Sequence, residues 1–295
     1  MAGYSLFRTV YWLAHGLPRP GRTVIAWLMA NYYWLRNKRE RDVTVRTLRA
    51  IKGKSYSNYS IKWLAWKTFQ NYGQYLADFS YAGRMSPREM DRRIQIKGEE
   101  NIARALAGGH GAIILTGHIG NWELGASVVA HSGFPIDAIY LQFPDERISN
   151  LYVNQRKRCG VGSVPLGKTW TALKVLSQGR ILAMLGDILF GNDESAADVV
   201  LFGQHAKFPR GPVLISVVTG APIIPCALVM KNRGKYFIFF EQPLYPDVNQ
   251  PRDAEVARLT NIFAGRLESW IRRWPDQWFP LREIWNMPAE SRDSN

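Results

Sequence analysis

The chain has 295 residues with 38 lysines and arginines against 24 acids, a net charge of +14, and room for one large domain or two small ones around a substantial core. Hydrophobic residues make up 46% and aromatics 13%, which excludes an intrinsically disordered chain. Only Cys159 and Cys226 are present, with no C-x-x-C pair, so a disulfide framework and a cysteine-rich zinc module are excluded too. The charge leaves nucleic acid, an anionic membrane surface or a phosphorylated substrate as partners.

Most of that charge sits at the start. Residues 1–75 hold 13 lysines and arginines against Glu40 and Asp42, hence eleven of the fourteen net charges, interleaved with aromatics such as Trp12, Trp27, Tyr32, Trp34, Trp63 and Trp66. Amphipathic rings settle at headgroup depth while cations meet lipid phosphates, so the segment suits an anionic membrane surface. It has no run of about 18 apolar residues, so a spanning helix is not expected. Residues 24–35 read as a short apolar helix that lies on the membrane as a monotopic anchor. The alternative is a helical hairpin packed on the main domain, its cations simply solvated. No nucleic-acid partner is expected, because no helix-turn-helix, zinc-finger or RNA-binding signature is present.

Ser86-Pro87 starts a helix and marks a soft boundary, dividing a basic helical segment (residues 1–85) from an α/β domain (residues 86–295). From about residue 92 short β-rich runs alternate with helical stretches. Strands are expected at 94–97, 112–116, 137–141, 162–165, 181–185, 199–202, 223–230 and 236–240. Helices are expected at 99–107, 122–131, 147–159, 170–178, 211–219 and 254–274. Pro275 ends the last helix and leaves an aromatic tail with a polar, frayed end.

The most informative stretch is AIILTGHIGNWELG, residues 112–125. Its strand ends at Thr116, Gly117 permits a sharp turn, and His118 falls at the carboxyl end of the strand, where open α/β sheets place their active sites. If Asn121 caps the next helix, Glu123 lies in its first turn and can reach back to the imidazole, leaving one ring nitrogen free as a base. Such a pair suits proton abstraction from a hydroxyl. No G-x-S-x-G elbow supplies a nucleophile.

These residues carry a family resemblance. TGHIGNWEL is similar to the H-x-x-x-x-[DE] motif of bacterial lipid A biosynthesis (late) acyltransferases and their relatives, including phosphatidylinositol mannoside acyltransferases. The similarity runs from about residue 92 to Trp285 through ILAMLGDILFG, LFGQ, PRGP, TGAPIIP and IRRWPDQWF. It implies a glycerolipid-acyltransferase-like mixed sheet flanked by helices, behind an N-terminal membrane-associating helical segment. It implies transfer of a fatty acyl group from an acyl carrier protein or coenzyme A thioester to a lipid hydroxyl, with no other cofactor and no metal, by a peripheral or monotopic enzyme on the cytoplasmic face of the inner membrane. His118 and Glu123 are then the catalytic pair, and Asn121, Arg156, Arg158, Asp187 and Arg210 are substrate-binding candidates. Backbone N–H groups near residues 117–121, or Arg156 or Arg158, are candidate donors to the developing oxyanion. The chain departs from the family at Asp187-Ile188-Leu189, where a second acid is usual, at Phe208, where threonine is usual, and in the added cations Lys207 and Arg210. Those cations either favour a phosphate-bearing acceptor or form a solvated face.

Two other readings compete. Residues 162–169, GSVPLGKT, satisfy G-x-x-x-x-G-K-[ST], but a P-loop follows its strand, whereas here the β-rich residues lie inside the motif. A non-catalytic lipid-binding protein on the same fold is the second. No metal is expected, since His15, His110, His131 and His205 show no ligand spacing.

Overall fold

The computed structural model describes residues 16–53, 55–190, 195–232, 234–280 and 283–285. Expectations for residues 1–15 and for the end of the tail, 286–295, lie outside the described residues.

Three helices come first: α1 (Arg19–Arg36), α2 (Lys38–Lys52) and α3 (Asn58–Ala82). Ser57 opens α3 by accepting from the Ser60 N–H, and Ser86 caps α4 (Pro87–Arg93) in the same way through Glu89, with Pro87 in the first turn as expected. There follow β1 (Ile94–Lys97), α5 (Glu100–Leu106), β2 (Ala112–Thr116), α6 (Trp122–His131), β3 (Ile136–Tyr140) and α7 (Glu146–Arg158). The chain continues through β4 (Gly162–Pro165), α8 (Thr169–Ser177), β5 (Ile181–Leu185), β6 (Ala196–Leu201), β7 (Gln204–Pro209) and α9 (Gly211–Thr219). Strands β8 (Ile223–Asn232) and β9 (Lys235–Phe240), helix α10 (Arg252–Arg273) and a 3-10 turn (Pro275–Gln277) complete the fold.

The main sheet has the order β1-β9-β8-β2-β5-β3-β4 and is parallel except for the β8–β9 hairpin. This is the expected mixed sheet flanked by helices. Strands β6 and β7 form a separate antiparallel hairpin. The sequence reading missed β7, because it took Leu201–Gln204 as a motif where the chain makes a turn. Phe202 and Gly203 both have positive φ (53° and 74°), as a two-residue hairpin loop requires.

Along β2 the side chains alternate between two cores, Ile113 and Leu115 on one face, Ala112 and Ile114 on the other. Both faces are covered, which is why a central parallel strand reads as an unbroken apolar run. Helix α10 seals the first face with Leu259, Phe263, Leu267 and Trp270, spaced three and four apart.

The N-terminal helices do pack on the domain, as the hairpin alternative expected. A Cβ on Gly73 of α3 would stand 2.9 Å from the Ala26 carbonyl and 3.0 Å from the Ala30 Cβ, so small residues set a close α1–α3 approach. The cost is an inverted surface. Helix α1 buries Ala26 and Ala30 and leaves Val24, Trp27, Leu28, Tyr32 and Leu35 exposed. Among the described residues no helix is long and apolar enough to cross a membrane.

Helix α3 is tied to the sheet edge by a buried ionic network. Asp78 accepts from Arg93 (2.7 Å), Gln74 (2.9 Å) and the Tyr236 hydroxyl (2.5 Å), while Arg93 Nε donates to the Gly234 carbonyl. Asp78→Ala strands the Arg93 charge and should lower the unfolding free energy by about 3–5 kcal/mol in a urea titration, with part of the loss recovered in Asp78→Ala/Arg93→Met.

Candidate active site

Parallel strands β2 and β5 run in register, with Thr116 opposite Leu185. Each then takes a glycine and a polar residue, so His118 and Asp187 arrive side by side at the carboxyl edge of the sheet. The Asp187 carboxylate meets the imidazole Nδ1 at 2.7 Å and accepts the His118 backbone N–H at 2.8 Å. A third donor is the indole of Trp278, at 2.9 Å. Gly117 makes room for this approach, since a Cβ there would lie 2.9 Å from the carboxylate oxygen.

The chemistry follows from the burial. Asp187 is fully buried, which alone would push its pKa up, but the facing His118 ring and the hydrogen bonds from His118 and Trp278 hold it below the usual carboxylate range. An ionised Asp187 can only accept, so Nδ1 carries the proton and Nε2 keeps a free lone pair. The imidazole side chain is 9% exposed. Trp122 meets it edge-on at 5.1 Å, and Tyr75, Tyr72 and Phe279 extend an aromatic wall behind Trp122.

The expected pairing of Glu123 with His118 is therefore corrected. Glu123 does lie in the first turn of α6, but it faces α7, where Arg156 holds both its oxygens at 2.7 and 2.5 Å. A buried carboxylate takes the bidentate cation, and burial of the guanidinium is outweighed by Glu123, which raises the Arg156 pKa. The two buried acids thus have different partners: Asp187 holds the His118 ring, and Glu123 with Arg156 joins α6 to α7.

The remaining candidates separate. Asn121 caps α6 as expected, accepting from Leu124 N–H at 3.0 Å, and donates to the Tyr75 carbonyl. Arg158 is exposed at the end of α7. Arg210 pairs with Asp253 at the start of α9, a surface ion pair rather than part of the His118 cluster, and Phe208 is a fully buried core residue. The N–H groups of His118, Gly120 and Asn121 are committed to Asp187, the Gln277 carbonyl and the Leu228 carbonyl, so those three are not the free oxyanion donors expected. In the P-loop-like segment, β4 lies inside the motif, not before it, and Lys168 sits at the start of α8. Trp278 lies in the IRRWPDQWF stretch that carries the resemblance, but it was not among the candidate site residues. The first residues of the tail pair with the turn after β2, Gly120 N–H to the Gln277 carbonyl and Phe279 N–H to the His118 carbonyl. Among the described residues no group of three His, Cys, Asp or Glu side chains is placed to hold a metal.

Residues 1–287 match the family described as bacterial lipid A biosynthesis acyltransferase. The chain belongs to this family. It is accordingly an O-acyltransferase of lipid biosynthesis. The acyltransferase is similar to the phosphatidylinositol mannoside acyltransferase of Mycobacterium tuberculosis, with 24% identity over 225 residues, covering 74% of this chain and 69% of the relative. It is also similar to the protein of the same name from Mycolicibacterium smegmatis, with 21% identity over 220 residues, 73% of this chain and 70% of the relative.

In the acyltransferase, Asp187→Asn should keep the fold and lower kcat about 10²–10⁴-fold, since it turns the ring's anchor into a group that no longer demands Nδ1–H. Glu123→Ala should instead act first on stability, costing about 3–5 kcal/mol by leaving Arg156 buried and unpaired. Because the Asp187 pKa is depressed in the folded state, its stabilisation is present above its unfolded value of about 3.9 and is lost as pH falls through the folded one. Acid unfolding curves should therefore be shallower below about pH 4 in Asp187→Asn than in the unaltered protein.

Proposed function

We propose that the enzyme transfers a fatty acyl group from an acyl carrier protein or coenzyme A thioester to a hydroxyl of a glycolipid at the inner-membrane surface, with His118 as general base and Asp187 as its orienting partner. The observation that carries this reading is the buried His118–Asp187 contact, which leaves Nε2 as the basic atom at the carboxyl edge of the sheet in a chain of acyltransferase descent. The acceptor hydroxyl gives its proton to Nε2 as its oxygen attacks the thioester carbonyl, forming the C–O bond. The tetrahedral intermediate then collapses, the C–S bond breaks, and the thiolate takes the proton from the imidazolium. Ester and free thiol result.

Glycolipid as the acceptor class is supported by the relatives, which are named for a mannosylated phosphoinositide. Access by an apolar chain is supported by the rim of the site. Leu141 and Phe143 after β3, Leu166 and Trp170 after β4, and Phe190 after β5 are all exposed, Trp170 at 86%, and they follow strand ends on the same edge as His118. An apolar rim of this kind suits a bilayer or an acyl chain better than water. Peripheral binding is further supported by the outward apolar side chains of α1 beside Arg36, Lys38 and Arg39, each cation near an anionic surface contributing about 1 kcal/mol.

Purified His118→Ala protein should fold but yield no acylated product from thioester and glycolipid, as read by mass spectrometry; full activity in the folded variant overturns the mechanism. Val24→Asp/Leu28→Asp should lower binding to vesicles containing phosphatidylglycerol at least tenfold in a sedimentation assay, while unchanged binding removes α1 as the docking element.

A further inference from the structure

Away from His118, a cleft of about 520 Å³ opens between α1, α3, the β8–β9 hairpin and the 3-10 turn. None of its lining residues is part of the His118–Asp187 or Glu123–Arg156 clusters. Its chemistry is uniform. Three cations line it, Lys67, Lys231 and Arg273, against one acid, Asp276. Lys67 is paired with Asp276 at 2.9 Å. Lys231 and Arg273 have no carboxylate partner among the described residues. Lys231 donates to the Gln95 side chain and lies over the Phe237 ring, and Arg273 lies 4.6 Å from the centre of the Trp274 ring. The cleft therefore carries two uncompensated positive charges.

Two further features point to a ligand with acceptor oxygens and an apolar body. The side-chain amide nitrogen of Gln70, on the cleft wall, is buried yet has no hydrogen-bond acceptor among the described residues. A buried donor without a partner is unfavourable, so an oxygen delivered there is favoured. Trp27, Trp66 and Trp274 supply flat apolar walls. Trp27 also belongs to the exposed apolar face of α1, so the cleft mouth is continuous with that face.

From these observations we infer that the cleft is a binding site for the phosphate-bearing headgroup of an anionic amphiphile, with Lys231 and Arg273 meeting the phosphate oxygens, Gln70 donating to an acceptor oxygen, and the tryptophans covering the apolar part next to the headgroup. The net positive charge that remains once Asp276 is paired with Lys67 selects against a headgroup that carries its own cation. The aromatic walls select against bare phosphate. The inference does not depend on the acyl-transfer reading, because it concerns binding at a site separate from His118.

The test is calorimetric titration of the full chain with dihexanoylphosphatidylglycerol kept below its micelle concentration, with dihexanoylphosphatidylcholine and inorganic phosphate as the other arms. Saturable binding of the anionic lipid, at least tenfold tighter than either alternative, is expected. Lys231→Glu/Arg273→Glu should weaken it at least tenfold, whereas the equal charge reversal Arg88→Glu/Lys97→Glu on exposed positions outside the cleft should change it less than twofold, circular dichroism showing both variants folded. Equal binding of the zwitterionic lipid overturns the charge selection. Equal binding of inorganic phosphate overturns the amphiphile. Unchanged binding in Lys231→Glu/Arg273→Glu overturns the site.

Discussion

Asp187 accepts three hydrogen bonds at once, from the His118 ring, the His118 backbone and the Trp278 indole, and the arrangement of the active edge depends on this fully buried carboxylate. A buried anion is tolerated only when its lone pairs are filled, so the three donors are a condition of its presence. The consequences reach far along the chain. Register between β2 and β5 brings the acid to the base, Gly117 removes the Cβ that would separate them, and the C-terminal segment must fold back to deliver Trp278. That segment is held by its own pairing to the His118 loop, so the ring orientation, the turn after β2 and the tail are one assembly.

Beside it lies a second buried pair with a different task. Glu123 and Arg156 satisfy each other bidentately and lock the helix that begins after the His118 turn against the helix after β3. The two pairs are adjacent yet separate in chemistry. One holds an imidazole through Nδ1; the other engages both carboxylate oxygens with one guanidinium. Asn121 joins the turn to the N-terminal helices by capping α6 and reaching the Tyr75 carbonyl. The basic aromatic segment is thus part of the wall behind the site, while apolar side chains and cations stay exposed on its outward face.

Much of the sheet was legible because parallel strands buried on both faces read as continuous apolar runs, and the turn at Gly117, His118 and the Asn121 cap follow from local chemistry alone. The partners were harder to see. Arg156 lies 33 residues from Glu123 and Asp187 lies 69 from His118, so which acid meets which base depends on strand order, which no local spacing reveals. A signal did exist. Residues 115–118 read LTGH and 184–187 read MLGD, two apolar strand ends each followed by glycine and a polar residue, and in-register pairing of such strands places the polar residues together. Trp278 had no signal of this kind, because its role arises from a tail that packs only once the sheet edge exists. The cations at Lys207 and Arg210 illustrate the converse: departures from the family pattern drew attention, yet Arg210 is occupied by Asp253 on the surface.

The central claim is that Asp187, and not Glu123, fixes the His118 ring with Nδ1 protonated and Nε2 free. Nitrogen NMR of protein carrying ¹⁵N in its histidine rings, at a pH where the ring is neutral, measures this directly. A protonated Nδ1 and an unprotonated Nε2 are expected for His118, lost in Asp187→Asn and kept in Glu123→Gln. A protonated Nε2 in the unaltered enzyme, or a tautomer that follows Glu123 and ignores Asp187, would contradict it.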